Sequence, residues 1–410
     1  MDILKRFLNY ISIDTTSDSK KSDSPTSLGQ RKLAKVIMQE LKELNVDNLY
    51  FDNDHCYIYA KINGSSSYPS VGFVSHLDTS EDERGSDISP KMIVDYDGQD
   101  ICLNDNCLLT VSSNPDLKNH IGKTIITTDG TTLLGADDKA GIAEIMGMLE
   151  HFTHNDCEHG DILVCFTPDE EIGMGTDNLN LSYFNPDIAF TVDGSVLGEL
   201  SYENFNAATA NISIKGINTH PGTAKDKMVN AVRLAIAINS SLPLEIPENT
   251  ENYEGFYHLE EISGDVSYAK MKYLIRDFSF NDFEKRKKKL TAIVNELNKK
   301  YNNCIELNIQ DKYFNMHSII KNYSDYLDLV FSAIDEVNVE PIVIPVRGGT
   351  DGANISQMGI PCPNIGTGGH NFHSIYEYIC LEDMQKVVEI LISIVNNFSK
   401  FNKENVNIMR

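Results

Sequence analysis

ADDKAGIAEIMGMLEHF (residues 136–152) and DILVCFT (residues 161–167) decide the fold of this chain. The first stretch predicts a helix whose acidic first turn suits the helix dipole, and the second has the length of a buried strand. Another apolar run of strand length, SVGFVSH (residues 70–76), precedes the helix. This strand–helix–strand order predicts an α/β fold with a mixed, largely parallel sheet.

The same alternation continues on both sides of these elements. CYIYAKI (residues 56–62) and DIAFTVDG (residues 187–194) are further runs of strand length, and RKLAKVIMQELKEL (residues 31–44) predicts a helix. Late in the chain the pattern resumes with a helix, two strands and a final helix, at residues 323–337, 341–346, 362–366 and 381–398.

The segment from residue 207 to residue 312 has a different order of elements. Its pattern predicts β-α-β-β-α-β, the ferredoxin-like unit, which can close on itself. We therefore predict a discontinuous main domain, residues 1–206 and 313–410, and an inserted ferredoxin-like α+β domain, residues 207–312. Residues 79–120 are polar and long, and they predict an irregular functional insertion.

Composition excludes several classes of protein. The chain has 410 residues, a formal net charge of −25 and 41% hydrophobic residues, which disfavours binding to nucleic acid or to an anionic membrane. No run of apolar residues is long enough for a transmembrane helix, and the first residues lack a secretion signal. Eight cysteines without a CxxC pair suit reduced thiols, so we expect a cytoplasmic protein.

Acidic and imidazole side chains follow several of the predicted strands, and an acidic pair opens the central helix. Each has an ordinary explanation on its own, such as a capped turn, a helix cap or a loop histidine. In α/β sheets, however, ligand sites gather beyond the carboxyl ends of the strands. The side chains concerned are His76, Asp78, Asp137, Asp138, Glu170, Glu171, Asp193, His370 and His373.

Two histidines with several carboxylates form a set of nitrogen and oxygen ligands that suits zinc, manganese or cobalt. Two ions about 3.5–4 Å apart need one bridging carboxylate. Asp137 fits the bridge, with His76 and Asp193 on one ion and Glu171 and His373 on the other.

Two carboxylates remain beside this ligand set. Asp78 lies two residues beyond His76 and could accept the second imidazole N–H, which would fix the tautomer. Glu170 is adjacent to a ligand but is not needed as one, and a free carboxylate at such a site can act as a general base.

The chain resembles the peptidase T family, the tripeptide aminopeptidases of the co-catalytic di-zinc aminopeptidase, carboxypeptidase and deacylase superfamily. The resemblance extends over nearly the whole chain. The matching stretches are SHLDTS, TTDGTTLLGADDKAGIAEIM, FTPDEEIGMG, TVDG, THPGTAKDKMVNA, RDF, RGGTDGANISQMGIPCPN and HNFHSIYE.

The resemblance implies the same site residues as the chemistry of the side chains. It implies two zinc ions per subunit, with manganese or cobalt as substitutes, and it makes Asp78 the orienting acid and Glu170 the general base. The family pattern places the bridging ligand at Asp137, with Asp138 as the alternative. Because the ligand histidine precedes a glutamate by four residues, His373 fits and His370 is expected outside the ligand set.

The resemblance also implies that the inserted domain is a lid that carries substrate-binding residues. His220 and Arg276 lie on that domain, and Arg347 is assigned to the main one. An arginine fork suits a peptide carboxylate, and His220 would stabilise an oxyanion. An ordinary salt bridge is the alternative explanation for each arginine.

The function implied is release of the N-terminal residue from tripeptides. One alternative is a deacylase or carboxypeptidase of the same superfamily that acts on N-acyl amino acids. Another is a non-catalytic peptide-binding module. A serine hydrolase and a nucleotide-binding protein are disfavoured, because G-x-S-x-G, Walker and G-x-G-x-x-G motifs do not occur. The choice between a monomer and a homodimer stays open.

Overall fold

The computed structural model describes residues 2–46 and 48–401, and it contains two compact units. The large unit comprises Met1–Tyr202, Ser318–Ile344 and Thr350–Arg410, and the small unit comprises Glu203–His317 and Pro345–Gly349. The segment predicted as an insertion, residues 207–312, falls within the small unit. The return of Pro345–Gly349 to the small unit does not follow from the sequence pattern.

The helices of the described residues are, in chain order, α1 (Ile3–Ile11), α2 (Leu28–Glu43), α3 (Ala136–His154), α4 (Ala231–Ser241), α5 (Phe280–Lys300), α6 (His317–Ile320), α7 (Ser324–Glu336), α8 (Asp351–Gln357) and α9 (Leu381–Ser399). Among them, no helix has both the length and the apolar character needed to cross a membrane.

The strands are β1 (Asn48–Asp52), β2 (Tyr57–Ile62), β3 (Val71–His76), β4 (Lys91–Ile93), β5 (Ile101–Asn104), β6 (Cys107–Leu109), β7 (Ile125–Thr127), β8 (Ile162–Thr167), β9 (Ile188–Gly194), β10 (Glu199–Ser201), β11 (Asn206–Lys215), β12 (Phe256–Gly264), β13 (Tyr268–Asp277), β14 (Ile305–Tyr313), β15 (Ile342–Val343), β16 (Asn364–Gly366), β17 (Gly369–His370) and β18 (Tyr378–Cys380).

The main sheet of the large unit has the strand order β1-β2-β8-β3-β9-β16-β10-β15. Its centre is parallel, since β3 pairs in parallel with β8 and β9, and β16 pairs in parallel with β9. Both faces are covered. Phe73 and Phe190 pack into the core formed with α1, α3, α7 and α9, whereas Val74 packs on the opposite face with Ile355 of α8. The predicted mixed, largely parallel α/β sheet is confirmed.

Residues 79–120 are more ordered than the sequence predicts. They contain β4, β5 and β6, and β4 joins a second sheet of order β17-β18-β7-β4. Leu103, Leu109 and Leu117 are buried in a small core with Tyr378. The prediction of an irregular segment is wrong. Its strands are only three or four residues long, which is too short to show a recognisable period in the sequence.

The small unit has the predicted ferredoxin-like order of elements. Its sheet order is β12-β13-β11-β14, and β11 pairs antiparallel with both β13 and β14. Leu234 of α4 and Leu290 of α5 pack on Ile212 and Tyr273 of the sheet. Asn230 caps α4 and Ser279 caps α5 through side-chain oxygens, which explains where both helices begin.

Candidate metal centre

The main sheet brings three of the charged segments to one edge. In the parallel pairing of β3 with β8, His76 lies opposite Thr167, the last residue of β8. Glu170 and Glu171 follow Thr167 by three and four residues, so they come just beyond the level of His76 in the sheet. The neighbouring strand β9 carries Asp193 near its own carboxyl end. These groups therefore meet at the strand ends, as expected for a ligand site in an α/β sheet.

The acidic pair before α3 does not cap the helix. Asp137 (φ −82°, ψ 104°) and Asp138 (φ −119°, ψ 32°) have non-helical backbone, and the peptide bond between them is cis. The explanation of this pair as a helix cap is therefore wrong. Asp138 turns toward β3, where its carboxylate accepts the Ser75 hydroxyl and the His76 N–H (3.1 Å for the latter).

Asp137 reaches both imidazoles through different oxygens. Its Oδ1 lies 3.0 Å from His76 Nε2, and its Oδ2 lies 3.2 Å from His373 Nε2. Asp193 Oδ1 lies 3.4 Å from His76 Nε2, and Glu171 Oε2 lies 2.9 Å from His373 Nε2. The structure thus brings all five expected ligands together as two imidazole–carboxylate pairs joined by Asp137. We call these five residues the acidic centre.

The electrostatics of the acidic centre favour a bound cation. Burial, together with the charge of Asp137, raises the pKa of Glu171 to about 7 and that of Asp193 to about 6. Hydrogen bonds with Asp137 and Glu171 raise the pKa of His373 to about 11. Glu171 Oε1 is buried without a hydrogen-bond partner. These imidazole and carboxylate donors fit Zn²⁺, and they also suit Mn²⁺ or Co²⁺.

Asp78 holds the backbone of the two glutamates as well as an imidazole. Its two carboxylate oxygens accept the N–H groups of Glu170 (3.0 Å) and Glu171 (3.2 Å). Its Oδ1 also lies 3.3 Å from His76 Nδ1, and its carbonyl oxygen lies 3.1 Å from the same nitrogen. Asp78 therefore contacts His76 as expected, and it also holds the backbone of both glutamates in place.

Glu170 and Glu171 have different surroundings. Among the described residues, no imidazole lies within ion-pair distance of Glu170, whereas Glu171 pairs with His373. Burial and the negative charge of Asp193 raise the pKa of Glu170 well above its usual range. The segment before them is held by Asp169, whose backbone is left-handed (φ 54°) and whose carboxylate accepts the Thr26 N–H at 3.0 Å.

Sequence reasoning missed two acids that position the centre. Glu377 accepts the backbone N–H groups of four consecutive residues, at 2.6, 2.9, 2.7 and 3.2 Å, from Leu134, Gly135, Ala136 and Asp137. In the sequence, Glu377 served only to identify His373 as the ligand histidine, through the four-residue spacing between them. Asp82 lies 3.0 Å from His373 Nδ1 and orients that ring, whose residue has left-handed backbone (φ 60°).

A third missed acid, Asp351, begins α8 and is buried beside the end of β8. Its carboxylate accepts a hydrogen bond from the Thr167 hydroxyl at 2.7 Å. Gly175 packs against this carboxylate so closely that a Cβ atom there would lie 2.1 Å from Asp351 Oδ1, which leaves no room for a side chain. Burial raises the pKa of Asp351 to about 7. The signal for it was present in the RGGTDGA motif, of which only the arginine was considered.

The small unit contains the three expected substrate-binding residues. His220 is exposed in its side chain, and its Nδ1 accepts the Gly222 N–H at 3.1 Å. Arg276 donates to the carbonyl oxygens of Ala208 (3.3 Å) and Ile275 (3.1 Å), and its guanidinium lies 5.3 Å from the Tyr313 ring centroid.

The assignment of Arg347 to the main domain is wrong. The Val346 N–H donates to the Glu203 carbonyl at 2.9 Å, which keeps this segment in the small unit. Arg347 donates to the carbonyl oxygens of Asn252 (2.7 Å) and Glu254 (3.0 Å) and stacks 5.0 Å from the Phe205 ring centroid. Within the described residues neither Arg276 nor Arg347 pairs with an acid, so the salt-bridge alternative fails.

Comparison with known proteins gives the family. Residues 202–303 match the profile of a peptidase dimerisation domain, and residues 122–246 match that of M42 glutamyl aminopeptidase. The chain is 48% identical to peptidase T from Alkaliphilus oremlandii over 97% of its own length and 100% of that protein.

Two solved structures share the fold. Aminopeptidase PepT from Bacillus cereus superposes with a TM-score of 0.77 at 20% identity, over 97% of this chain and 98% of that one. YXEP from Bacillus subtilis, described as a dinuclear metal binding peptidase from the M20 family, superposes with a TM-score of 0.67 at 14% identity, over 96% of each chain. With the sequence identity above, these findings show that the chain belongs to the peptidase T family.

Proposed function

We propose that this protein is a di-metal aminopeptidase that releases the N-terminal residue of tripeptides. The observation that carries the proposal is that Asp137 contacts the imidazoles of both His76 and His373 while Glu170 stays outside these pairs. Relatives named peptidase T and a structural neighbour from Staphylococcus aureus described as a tripeptidase support the tripeptide substrate.

The residues that would hold the two ions follow from the contacts. His76 and Asp193 would bind one ion, Glu171 and His373 the other, and Asp137 would bridge them. We propose zinc as the metal, with manganese or cobalt as substitutes. When bound, two such ions supply Lewis acidity that polarises the scissile carbonyl and acidifies the attacking water.

Glu170 is the proposed general base. Its carboxylate takes the proton from the attacking water and later gives it to the leaving amine. The raised pKa of Glu170, caused by burial and by Asp193, makes its carboxylate more basic than an exposed glutamate. Asp78 contributes by positioning, because it holds the backbone N–H of Glu170 and contacts the His76 ring.

The proposed role of the small unit is that of a substrate-binding lid. Arg276 would bind the C-terminal carboxylate of the peptide, and His220 would stabilise the oxyanion. Arg347 is the weaker candidate, because both of its terminal nitrogens already donate hydrogen bonds within the small unit. Arg276 does so through Nη1 alone in the part of the chain that the structure describes. The match to a dimerisation domain favours a homodimer. The cytoplasmic location stays a prediction.

A panel of free di-, tri- and tetrapeptides and N-acyl amino acids tests the function. With zinc present, we expect the highest kcat/KM for tripeptides and the N-terminal residue as the first product. Arg276→Ala is expected to raise KM for tripeptides about tenfold, because it removes one charged contact with the substrate. Arg233→Ala, which changes an exposed arginine of the same unit, is the control. Preferred cleavage of N-acyl amino acids would instead identify a deacylase, and unchanged KM in Arg276→Ala would exclude the carboxylate clamp.

A further inference from the structure

A second cluster of metal-binding side chains lies in the large unit, apart from the acidic centre. It comprises His120 at the end of a short 3-10 helix (Pro115–His120), Cys380 at the end of β18 and Asp383 in the first turn of α9. All three are buried, and one ligand atom of each lies within 4.8 Å of the others. We call these residues the inner cluster. The proposed peptidase mechanism uses none of them.

The facing atoms of His120 and Asp383 are close but do not form a hydrogen bond. His120 Nδ1 lies 3.3 Å from Asp383 Oδ2, yet this nitrogen is buried without a hydrogen-bond partner. In a tetrahedral zinc site with bonds of about 2.0–2.1 Å, two ligand atoms lie about 3.3 Å apart. The separation is therefore the one expected for two atoms that bind the same ion.

The other ring nitrogen of His120 explains why Nδ1 is left over. His120 Nε2 lies 3.3 Å from Nε2 of His370, and the His370 ring stacks on Tyr378 with centroids 4.5 Å apart. Burial lowers the pKa of both imidazoles, to about 4 for His370. When His120 Nε2–H donates to His370, the lone pair of Nδ1 faces the Asp383 carboxylate, and a cation between them would stabilise both.

The neighbouring charges leave one oxygen of Asp383 available. Lys123 donates to Asp383 Oδ1 at 2.7 Å and is partly exposed, so Oδ2 remains directed toward His120. Glu144 of α3 is fully buried, and neither of its carboxylate oxygens has a hydrogen-bond partner. Burial and the charge of Asp383 raise the pKa of Glu144 well above its usual range.

We propose that His120, Cys380 and Asp383 form a further metal site that binds one zinc ion or a similar thiophilic divalent ion. Nitrogen, sulfur and oxygen ligands in one buried cluster suit zinc, with the fourth position open to water. Burial raises the pKa of the Cys380 thiol to about 12, so the thiol is protonated before the ion binds. On binding, sulfur forms the bond to the ion and its proton is released to solvent.

The role of this ion is structural. The inner cluster joins the end of the 79–120 segment to the start of α9, and His370 and Tyr378 beside it belong to the paired strands β17 and β18. The loop between these strands carries His373 of the acidic centre. An ion at the inner cluster would therefore hold the base of that loop without contacting the substrate.

Cobalt substitution tests the site because, of the candidate metal groups in the described part of the chain, the inner cluster alone includes a sulfur atom. Metal-free protein is equilibrated with Co²⁺ until its absorption spectrum stops changing. A thiolate-to-cobalt charge-transfer band in the near ultraviolet is expected in the wild type, whereas the nitrogen and oxygen ligands of the acidic centre give none. Cys380→Ala should lose the band and bind one metal equivalent less, and added Zn²⁺ should displace the band in the wild type.

Cys362→Ala is the matched control, because Cys362 is an equally buried thiol outside the inner cluster. It should keep the band and the full metal content. A folded wild type without the band at saturating Co²⁺ would overturn the proposal, and so would an unchanged band in Cys380→Ala. The readout does not involve peptide hydrolysis, so its failure and the failure of the proposed function are distinguishable. If a variant misfolds, the presence or absence of the charge-transfer band in the wild type still tests the proposed site.

Discussion

The acidic centre and the inner cluster have similar geometry and different surroundings. In the acidic centre, imidazole nitrogens lie 2.9–3.4 Å from carboxylate oxygens, and in the inner cluster the distance is 3.3 Å. The His373 side chain is 39% exposed, however, whereas that of His120 is 4% exposed. The difference teaches that ligand spacing alone does not identify a catalytic site. The two proposed roles, turnover at the acidic centre and structure at the inner cluster, rest on access for a substrate and on the hardness of the ligands.

The largest expected effect separates the two glutamates of the acidic centre. Glu170→Gln should lower kcat by roughly 10²–10⁴-fold, since it removes the proton acceptor, and should leave the metal content unchanged. Glu171→Gln should lose both metal and activity, because its carboxylate pairs with His373. Steady-state kinetics and elemental analysis of both variants provide the check. If Glu170→Gln loses the metal and Glu171→Gln keeps it, their roles are reversed.

A smaller effect is expected where a carboxylate acts on a ligand only through the backbone. Glu377→Gln removes the charged acceptor of the loop that ends at Asp137, so we expect metal affinity to fall about 10–100-fold. Activity should return at saturating metal, which a direct catalytic role would not allow. Titration of metal-free protein gives the affinity. Glu389→Gln, which changes an exposed carboxylate paired with Lys386, is the control and should have wild-type affinity.

The smallest expected effect concerns stability at the inner cluster. At a free zinc concentration ten times the dissociation constant of that site, binding should add about 1.4 kcal/mol to the free energy of unfolding. Thermal unfolding of metal-loaded protein should therefore show a lower Tm for Cys380→Ala than for Cys362→Ala. In metal-free protein the two variants should differ much less. An equal Tm in the loaded state would remove the structural role assigned to this ion.

The sequence predicts the elements that consist of long apolar runs. β3 and β8 are buried along their whole length, so their run of apolar residues reveals them and places His76 and Glu170 near their ends. The family is confirmed by the identity to peptidase T over 97% of the chain. Local periodicity and end-of-strand chemistry are therefore sufficient for the α/β order and for the candidate ligands.

The remaining features depend on contacts between distant segments. Arg347 is assigned to the wrong unit because the backbone pairing of Val346 with Glu203 leaves no trace in local periodicity. The inner cluster takes one residue from position 120 and two from positions 380 and 383, which gives no recognisable ligand spacing. The loop that ends at Asp137 is held by Glu377, which lies 240 residues further along the chain.

The four N–H groups held by Glu377 have a consequence for the order of events during synthesis. The loop that carries Asp137 is synthesised in the first half of the chain. Glu377, whose carboxylate holds this loop, is synthesised 240 residues later, shortly after His373. Domains of a nascent chain fold as their segments become available. The growing chain therefore lacks a complete set of the proposed ligands and their supporting carboxylate until residues 373–377 have been synthesised.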